Sequence, residues 1–231
     1  MSGPGTVQVA GPVGVLVPAA GSGVRLGPGD PKALRPLAGE PLLVHAVRGL
    51  RAAPSVGPVV VAAPAADVDA VRALLMAFSV VVVPGGAERQ DSVRQALAAL
   101  DPDARLVLVH DAARCLTPVE LVESVVAALR GGAQAVVPVL PVADTVKAVD
   151  GDRVTATLDR AALRAAQTPQ GFQRDVLERA HASGLPAATD DAGLVAACGG
   201  TVTTVDGSPE AFKVTRPLDL LLAEAVLRAR G

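Results

Sequence analysis

The chain has 231 residues, half of them apolar, a formal net charge of −2 and three phenylalanines as its only aromatic residues. That is enough apolar material for a sizeable core in one domain or two small ones. No run of lysine and arginine suggests a nucleic-acid surface, the missing tyrosine and tryptophan argue against base stacking, and no apolar run approaches the roughly 20 residues that span a bilayer.

Residues 1–11 lack a basic segment and an apolar core, so they read as a loose N-terminal tail and not as a signal peptide. The remainder, 12–231, reads as one nucleotide-handling domain. Val13–Val17 is an apolar strand that stops at Pro18. Ala19, Ala20, Gly21, Ser22 and Gly23 follow, with Arg25 and Lys32 beyond them. A buried strand opening into a loop without large side chains exposes a row of backbone N–H groups, and such a concavity binds phosphate. Arg25 adds a planar fork of donors and Lys32 a mobile point charge. The segment therefore reads as a nucleotide triphosphate site, with a ligand-free glycine turn as the structural alternative. A dinucleotide fingerprint would need glycine where Leu26 stands. A P-loop would need a different setting for Lys32, which lies between Pro31 and Ala33.

Pro41–Leu50 has apolar residues at helical spacing and ends near Gly57-Pro58. Val59–Ala62 reads as a strand, Ala66–Ala77 as a helix, and Ser79–Val83 as a strand stopped by Pro84-Gly85-Gly86. Asp91–Leu100 reads as a helix, Leu106–His110 as a strand, Pro118–Arg130 as a helix and Ala135–Val139 as a strand. This alternation predicts a doubly wound, mainly parallel, Rossmann-like α/β sheet, with ligands at the carboxyl ends of its strands. The rhythm changes near Pro141. Thr145–Val149 and Val154–Leu158 flank the turn signal Asp150-Gly151-Asp152, so a β-hairpin arm inserted over about 141–166 is expected. A hairpin with few partners is marginal alone, which suggests packing against a second subunit. Arg174–Ala182, Asp190–Ala197 and Pro217–Arg228 read as helices and Thr201–Val205 as a strand.

Asp111 directly follows a buried strand. Facing a triphosphate, its carboxylate is a natural Mg²⁺ ligand, because Mg²⁺ takes one or two carboxylates with phosphate and water oxygens. Arg114 suits a substrate phosphate, or else pairs with Asp111. His110 reads as a satisfied strand residue, and neither His45 nor His181 has a recognisable partner. The turn Gly85-Gly86-Ala87 and Ser92 suit a base edge or an ordinary helix start. Thr145, Lys147, Asp159, Arg160, Gln167 and Thr168 lie on or beside the arm, where they either grip a phosphorylated substrate or are ordinary exposed polarity. Thr189-Asp190-Asp191 reads as an N-cap with acids in the first turn. Lys213 precedes the last helix, placed to reach phosphate or simply solvated. The cysteines, Cys115 and Cys198, suggest no disulfide framework and no metal cluster, so a reducing, cytoplasmic setting is expected.

Taken together, P-A-A-G-S-G-V-R with P-K, G-G-A-E-R-Q-D-S-V, V-H-D-A-A-R, D-T-V-K, T-P-Q-G-F, T-D-D-A and K-V-T-R-P-L-D-L resemble, in that order, the 2-C-methyl-D-erythritol 4-phosphate cytidylyltransferases of the non-mevalonate isoprenoid pathway. The likeness runs from about Val13 to Arg228. The first motif alone marks a broad class of nucleotidyltransferases, whereas V-H-D-A-A-R, D-T-V-K and T-P-Q together are much more specific. The resemblance implies that CMP is transferred from CTP to methylerythritol phosphate with release of pyrophosphate. It implies that Ala19, Ala20 and Gly21 line the CTP site and that Arg25, Lys32 and Lys213 act on the phosphates as catalytic cations. Gly86, Ala87 and Ser92 then recognise cytosine, and Asp111 serves Mg²⁺ and helps position substrate. Arg114, Thr168 and Thr189 complete the second pocket. It further implies a homodimer in which Thr145 and Arg160 of one arm hold the methylerythritol phosphate in a neighbouring subunit's site. Cys115 stands where proline is common in the family, and Asp191 where Glu is common. The nearest alternative is a cytidylyltransferase for another polyol phosphate, such as ribitol 5-phosphate. More distant ones are a sugar-1-phosphate nucleotidyltransferase and a catalytically silent nucleotide-binding module.

Overall fold

The computed structural model describes residues 11–21, 26, 29–186 and 188–230. The expected N-terminal tail lies almost entirely outside them. The first strand, β1 (Val13–Pro18), sits between β4 (Val56–Ala63) and β6 (Leu106–Val109), parallel to both. Two short strands, β2 (Pro36–Leu37) and β3 (Glu40–Pro41), pair with each other ahead of helix α1 (Leu42–Ala52). β5 (Val81–Pro84) adds to the far side of β4. On the other flank β6 meets β11 (Gln170–Gln173), then β7 (Ala135–Pro141), with β12 (Val202–Asp206) parallel to β7 at the edge. β10 (Arg164–Ala166) continues the line of β11 along the end of β7.

Helices cover both faces of the sheet, as a doubly wound fold requires. Side-chain alternation along β1 assigns the two faces. Val13, Val15 and Val17 pack with α1, with Val71 of α2 (Val68–Leu74), and with α4 (Val119–Arg130). Leu16 points the other way, into the layer of α3 (Arg89–Ala99), α5 (Arg174–Ala182) and α6 (Asp191–Ala197). Helix α7 (Pro217–Arg230) closes a third cluster with Leu37, Leu42, Leu116 and Cys115.

Several boundaries differ from expectation for local reasons. β4 starts at Val56 and so includes Gly57-Pro58; proline is tolerated there because it lies at the beginning of the strand. The helix expected at Ala66–Ala77 is shorter, flanked by single 3₁₀ turns at Ala65–Asp67 and Met76–Phe78. Its stop is Ser79, in a left-handed conformation (φ 52°) that α-helix does not continue through. The segment 141–166 divides. Pro141 and Arg164–Ala166 belong to the main sheet, and only β8 (Lys147–Asp150) and β9 (Arg153–Thr157) form the separate antiparallel hairpin. Asp150 pairs with Arg153 across Gly151-Asp152, a two-residue turn in which Gly151 takes φ 59°.

β11 is antiparallel to both neighbours and had no counterpart in the sequence pattern. It wedges into the sheet because Gly171 has no side chain: a Cβ there would lie 2.6 Å from Val125 and 2.7 Å from Leu129 of α4. Phe172, fully buried on the opposite face, anchors it among α5 and α6. Burial of that ring is worth about 2–3 kcal/mol. Among the described residues no helix is long and apolar enough to cross a membrane.

Candidate active site

Strand order reverses at β1: the chain moves outward to β4 and β5, then crosses back to β6. The loops after β1, β5 and β6 therefore meet at the carboxyl ends of their strands. Backbone bonds fix them to the sheet: Ala19 N–H donates to Ala62 (2.8 Å), Gly85 N–H to Ala63 (2.7 Å) and His110 N–H to Leu16 (2.9 Å).

The first cleft between these loops has a volume of about 170 Å³. Ala19, Ala20 and Gly21 form one wall, and Gly86, Ala87 and Ser92 the other. Lys32 enters from a 3₁₀ turn, Lys32–Leu34, whose first N–H donates to the Gly21 carbonyl at 3.3 Å. That bond ties together the two ends of the glycine-rich loop. Arg25 lies outside the described residues. The wall formed by the β5 loop packs tightly: a Cβ on Gly85 would stand 2.5 Å from the Ala20 Cβ and 2.9 Å from the Ser92 Oγ. Ser92 is buried, and its hydroxyl accepts from Gly86 N–H (3.1 Å) and donates to the Glu88 carbonyl (3.2 Å). Ser92 thus shapes the loop that faces the ligand, a supporting duty that the sequence did not separate from contact. Asp91 caps the start of α3 by accepting from Glu88 N–H at 3.1 Å.

A second cleft of about 190 Å³ adjoins the first and shares Arg89, Asp111 and Lys213 with it. Arg114, Thr168 and Thr189 line it, together with Gln167, Gln170 and Asp190. The wall between the clefts is one ionic cluster. Asp111 accepts from Lys213 Nζ at 2.7 Å and from Arg89 Nε at 3.2 Å, with Arg114 Nε at 4.0 Å. Burial alone would raise the Asp111 pKa, but Arg89, Lys213 and Arg114 outweigh it and hold the carboxyl well below the usual range. Burial depresses the Arg114 pKa, with Asp111 acting against it. Arg114 is aimed by two carbonyls, Ala211 (2.8 Å) and Ala166 (3.1 Å), and its buried Nε has no hydrogen-bond partner.

Thr168 lies at a cis peptide bond with Pro169 and connects the second cleft to β6. Its Oγ1 accepts from Asp111 N–H (3.0 Å) and sits 3.3 Å from His110 Nδ1. His110 Nε2 lies 3.3 Å from the Arg114 carbonyl. The carbonyl only accepts, so Nε2 carries the hydrogen and Nδ1 accepts from Thr168. Burial keeps His110 neutral, and it is bonded through both nitrogens, as a strand residue and not a base. Burial brings its pKa down to about 4, with Asp111 opposing and Arg114 assisting.

The sign of the pH effect follows from that depression. Between about pH 6.5 and 4 the unfolded chain binds a proton that the folded one refuses, so stability falls as the solution is acidified through this window. The expected loss is about 3 kcal/mol over that window. Urea midpoints measured at pH 7 and pH 5 should fall in the wild type, with a shallower fall in His110→Gln. Parallel slopes for the two proteins would contradict this.

Of the residues singled out from the sequence, Lys32, Asp111 and Lys213 converge on the first cleft, and Asp111, Arg114, Thr168, Thr189 and Lys213 on the second. Thr145 and Arg160 reach neither cleft. Both are exposed beside the hairpin, and Arg160 donates to the Ala143 carbonyl. Arg89 was missed although it sits inside the G-G-A-E-R-Q-D-S-V motif. Also missed was the partner of His181, which is bonded to Asp191 at 2.9 Å. Asp190 caps α6 and Asp191 stands in its first turn, as expected, but Asp191 is also completely buried, and its second oxygen accepts from Arg89 Nη1 at 2.6 Å.

Residues 13–229 match the family model of 2-C-methyl-D-erythritol 4-phosphate cytidylyltransferase. A protein of that name from Frankia casuarinae is 61% identical over 223 residues, covering 96% of this chain and 84% of its own length. One from Saccharopolyspora erythraea is also 61% identical, covering 92% of this chain and 97% of its own. Among solved structures, the cytidylyltransferase from Thermus thermophilus superposes with a TM-score of 0.78 at 40% identity, covering 94% of this chain and 99% of that one. With the fold, the two adjoining clefts and these relatives in agreement, the chain belongs to the 2-C-methyl-D-erythritol 4-phosphate cytidylyltransferase family.

Proposed function

We propose that the chain transfers CMP from CTP to 2-C-methyl-D-erythritol 4-phosphate, giving 4-CDP-2-C-methyl-D-erythritol and pyrophosphate in isoprenoid biosynthesis. The observation that carries this reading is the shared wall: two adjoining clefts that have Arg89, Asp111 and Lys213 in common. CTP occupies the first cleft, with its base against Gly86, Ala87 and Ser92 and its phosphates towards Ala19, Ala20, Gly21 and Lys32. Arg25 joins the phosphate group from the glycine-rich loop. The alcohol phosphate occupies the second cleft, against Arg114, Thr168 and Thr189.

The nucleophile is an oxygen of that phosphate, largely dianionic near neutral pH. It needs no general base, which agrees with His110 being neutral and internally bonded. An oxygen lone pair forms the new bond to the α-phosphorus as the bond to pyrophosphate breaks. The obstacle is repulsion between two anions. Lys32, Lys213 and Arg89 oppose it with positive charge, joined in this reading by Arg25, and little else is required beyond alignment.

A divalent ion, Mg²⁺, accompanies CTP in this reading. Among the described residues no group of three acidic, histidine or cysteine side chains gathers to hold a metal. The donor set that fits is therefore one carboxylate with substrate oxygens. Asp111 is ionised, and each of its two oxygens retains acceptor capacity beyond the bond it makes to Arg89 or Lys213. When bound, the ion supplies charge that favours the leaving pyrophosphate.

The arm supports a homodimer. Val149 and Val154 are exposed at 61% and 56% on a two-stranded hairpin, and Leu158, just beyond it, at 41%; such a hairpin is marginal by itself. In the dimer Thr145 and Arg160 serve the second cleft of the neighbouring subunit. Cys115 and Cys198 are unpaired thiols, which suits a reducing cytoplasm. Pyrophosphate release, measured with CTP, UTP, ATP and GTP against methylerythritol phosphate and ribitol 5-phosphate, tests the reading. Turnover with CTP and methylerythritol phosphate alone is expected. A preference for ribitol 5-phosphate, or for another nucleotide, would overturn it.

A further inference from the structure

We propose that Asp191 and His181 are positioning residues for cytidylyl transfer, acting through Arg89; this rests on the reaction assigned above. Arg89 is the first residue of α3 and the only arginine among the described residues that lines both clefts. Its guanidinium is held from two sides, Nε by Asp111 at 3.2 Å and Nη1 by Asp191 at 2.6 Å. Its own burial lowers the Arg89 pKa, but the Asp191 and Asp111 charges outweigh this and raise it. The cation is thus fully charged, and its plane is fixed by two carboxylates on different elements.

Asp191 in turn is oriented by His181. The side chains of Asp191 and His181 are 0% and 4% exposed, and the Asp191 Oδ1 lies 2.9 Å from His181 Nε2. Burial acts to raise the Asp191 pKa, but the His181 hydrogen bond and the Arg89 charge bring it down, so the carboxylate is ionised and can only accept. His181 Nε2 therefore carries the hydrogen. Such a buried charge is a poor device for stability alone, since an apolar side chain of similar size serves a core as well or better. Nor does α6 need it as a cap: Asp190 already accepts from Gly193 N–H at 2.8 Å. What the buried carboxylate accomplishes is to aim a long, otherwise mobile cation at the boundary where the two phosphates meet.

The test compares full-length variants by kcat, KM and Tm, with CTP and methylerythritol phosphate. Asp191→Asn should lower kcat at least ~10-fold, since a small misplacement of an aligned group is costly. In an Arg89→Ala background the same change should lower kcat no further. His181→Phe should lower kcat, and His181→Gln, whose amide N–H can donate to the same carboxylate, should restore most of it. Leu50→Ala, a buried change on α1 across the sheet, should lower Tm while leaving kcat within about 2-fold, because it lies in the cluster on the opposite face from His181 and Asp191 and lines neither cleft. Should Asp191→Asn not fold, the contrast between His181→Phe and His181→Gln decides. Wild-type kcat in Asp191→Asn or in His181→Phe overturns the proposal, as does an equal loss with and without Arg89. A wild-type protein inactive on this substrate pair overturns the reaction itself, and the positioning role with it.

Discussion

Replacing Asp111 with asparagine should lower kcat by at least ~100-fold, the scale of losing one preorganised electrostatic group. The carboxylate is a negative group at a site that must gather negative substrates, so its value lies in what it holds. Lys213 Nζ at 2.7 Å and Arg89 Nε at 3.2 Å bond its two oxygens, and Arg114 stands at 4.0 Å. Without the carboxylate three cations face one another across a cleft wall before any phosphate has bound. They would separate, and the orientation required at the moment of transfer would have to be regained from substrate binding. Folding should suffer too, by about 3 kcal/mol, the range for removing one member of a largely buried charge cluster. Because Asp111 borders both clefts, kcat should fall and the KM of both substrates should change. The check is steady-state kinetics with each substrate varied in turn, together with a urea melt. Activity within a few-fold of wild type would contradict the role.

Lys32→Ala should also lose at least ~100-fold in kcat, by the same reasoning about one preorganised donor. Its signature differs. Lys32 borders only the nucleotide cleft, so the KM for methylerythritol phosphate should stay near the wild-type value. A compact ammonium on a flexible stem can follow the triphosphate as charge shifts towards pyrophosphate. Lys32 sits on a 3₁₀ turn whose N–H donates to the Gly21 carbonyl, a backbone tie that truncating the side chain leaves in place, so the fold should be disturbed little. Equal rises in both KM values, with kcat unchanged, would assign Lys32 to general binding instead.

What could be read from the sequence, and what could not, divides along physical lines. β1 and β6 are buried on both faces, so they appear as continuous apolar runs, Val13–Val17 and Leu106–Val109, that identify themselves. The arm was legible because Asp150-Gly151-Asp152 is a turn signal between two alternating segments. β11 was not, since Gln170-Gly171-Phe172-Gln173 carries neither a strand pattern nor a helical one. It is a strand because β6 and β7 leave a gap that only a glycine-bearing segment fills. In the site, Lys32, Asp111 and Lys213 each announced themselves by charge at a strand end or loop. Arg89 did not, because its significance depends on α3 beginning there, which points its side chain at the wall between the clefts. The link from His181 to Asp191 depends on how α5 packs on α6, and no spacing rule encodes it. Thr145 and Arg160 remain apart from both clefts within a single chain, which is what the proposed exchange of arms requires.

The most direct measurement of the central claim is a crystal structure of the protein with CTP and a divalent ion bound. The account predicts the cytosine against Gly86 and Ala87, the triphosphate along Gly21 within hydrogen-bonding reach of Lys32, and the α-phosphorus beside the wall of Arg89, Asp111 and Lys213. CTP bound with its α-phosphate remote from that wall, or seated in the cleft of Arg114 and Thr189, would contradict it.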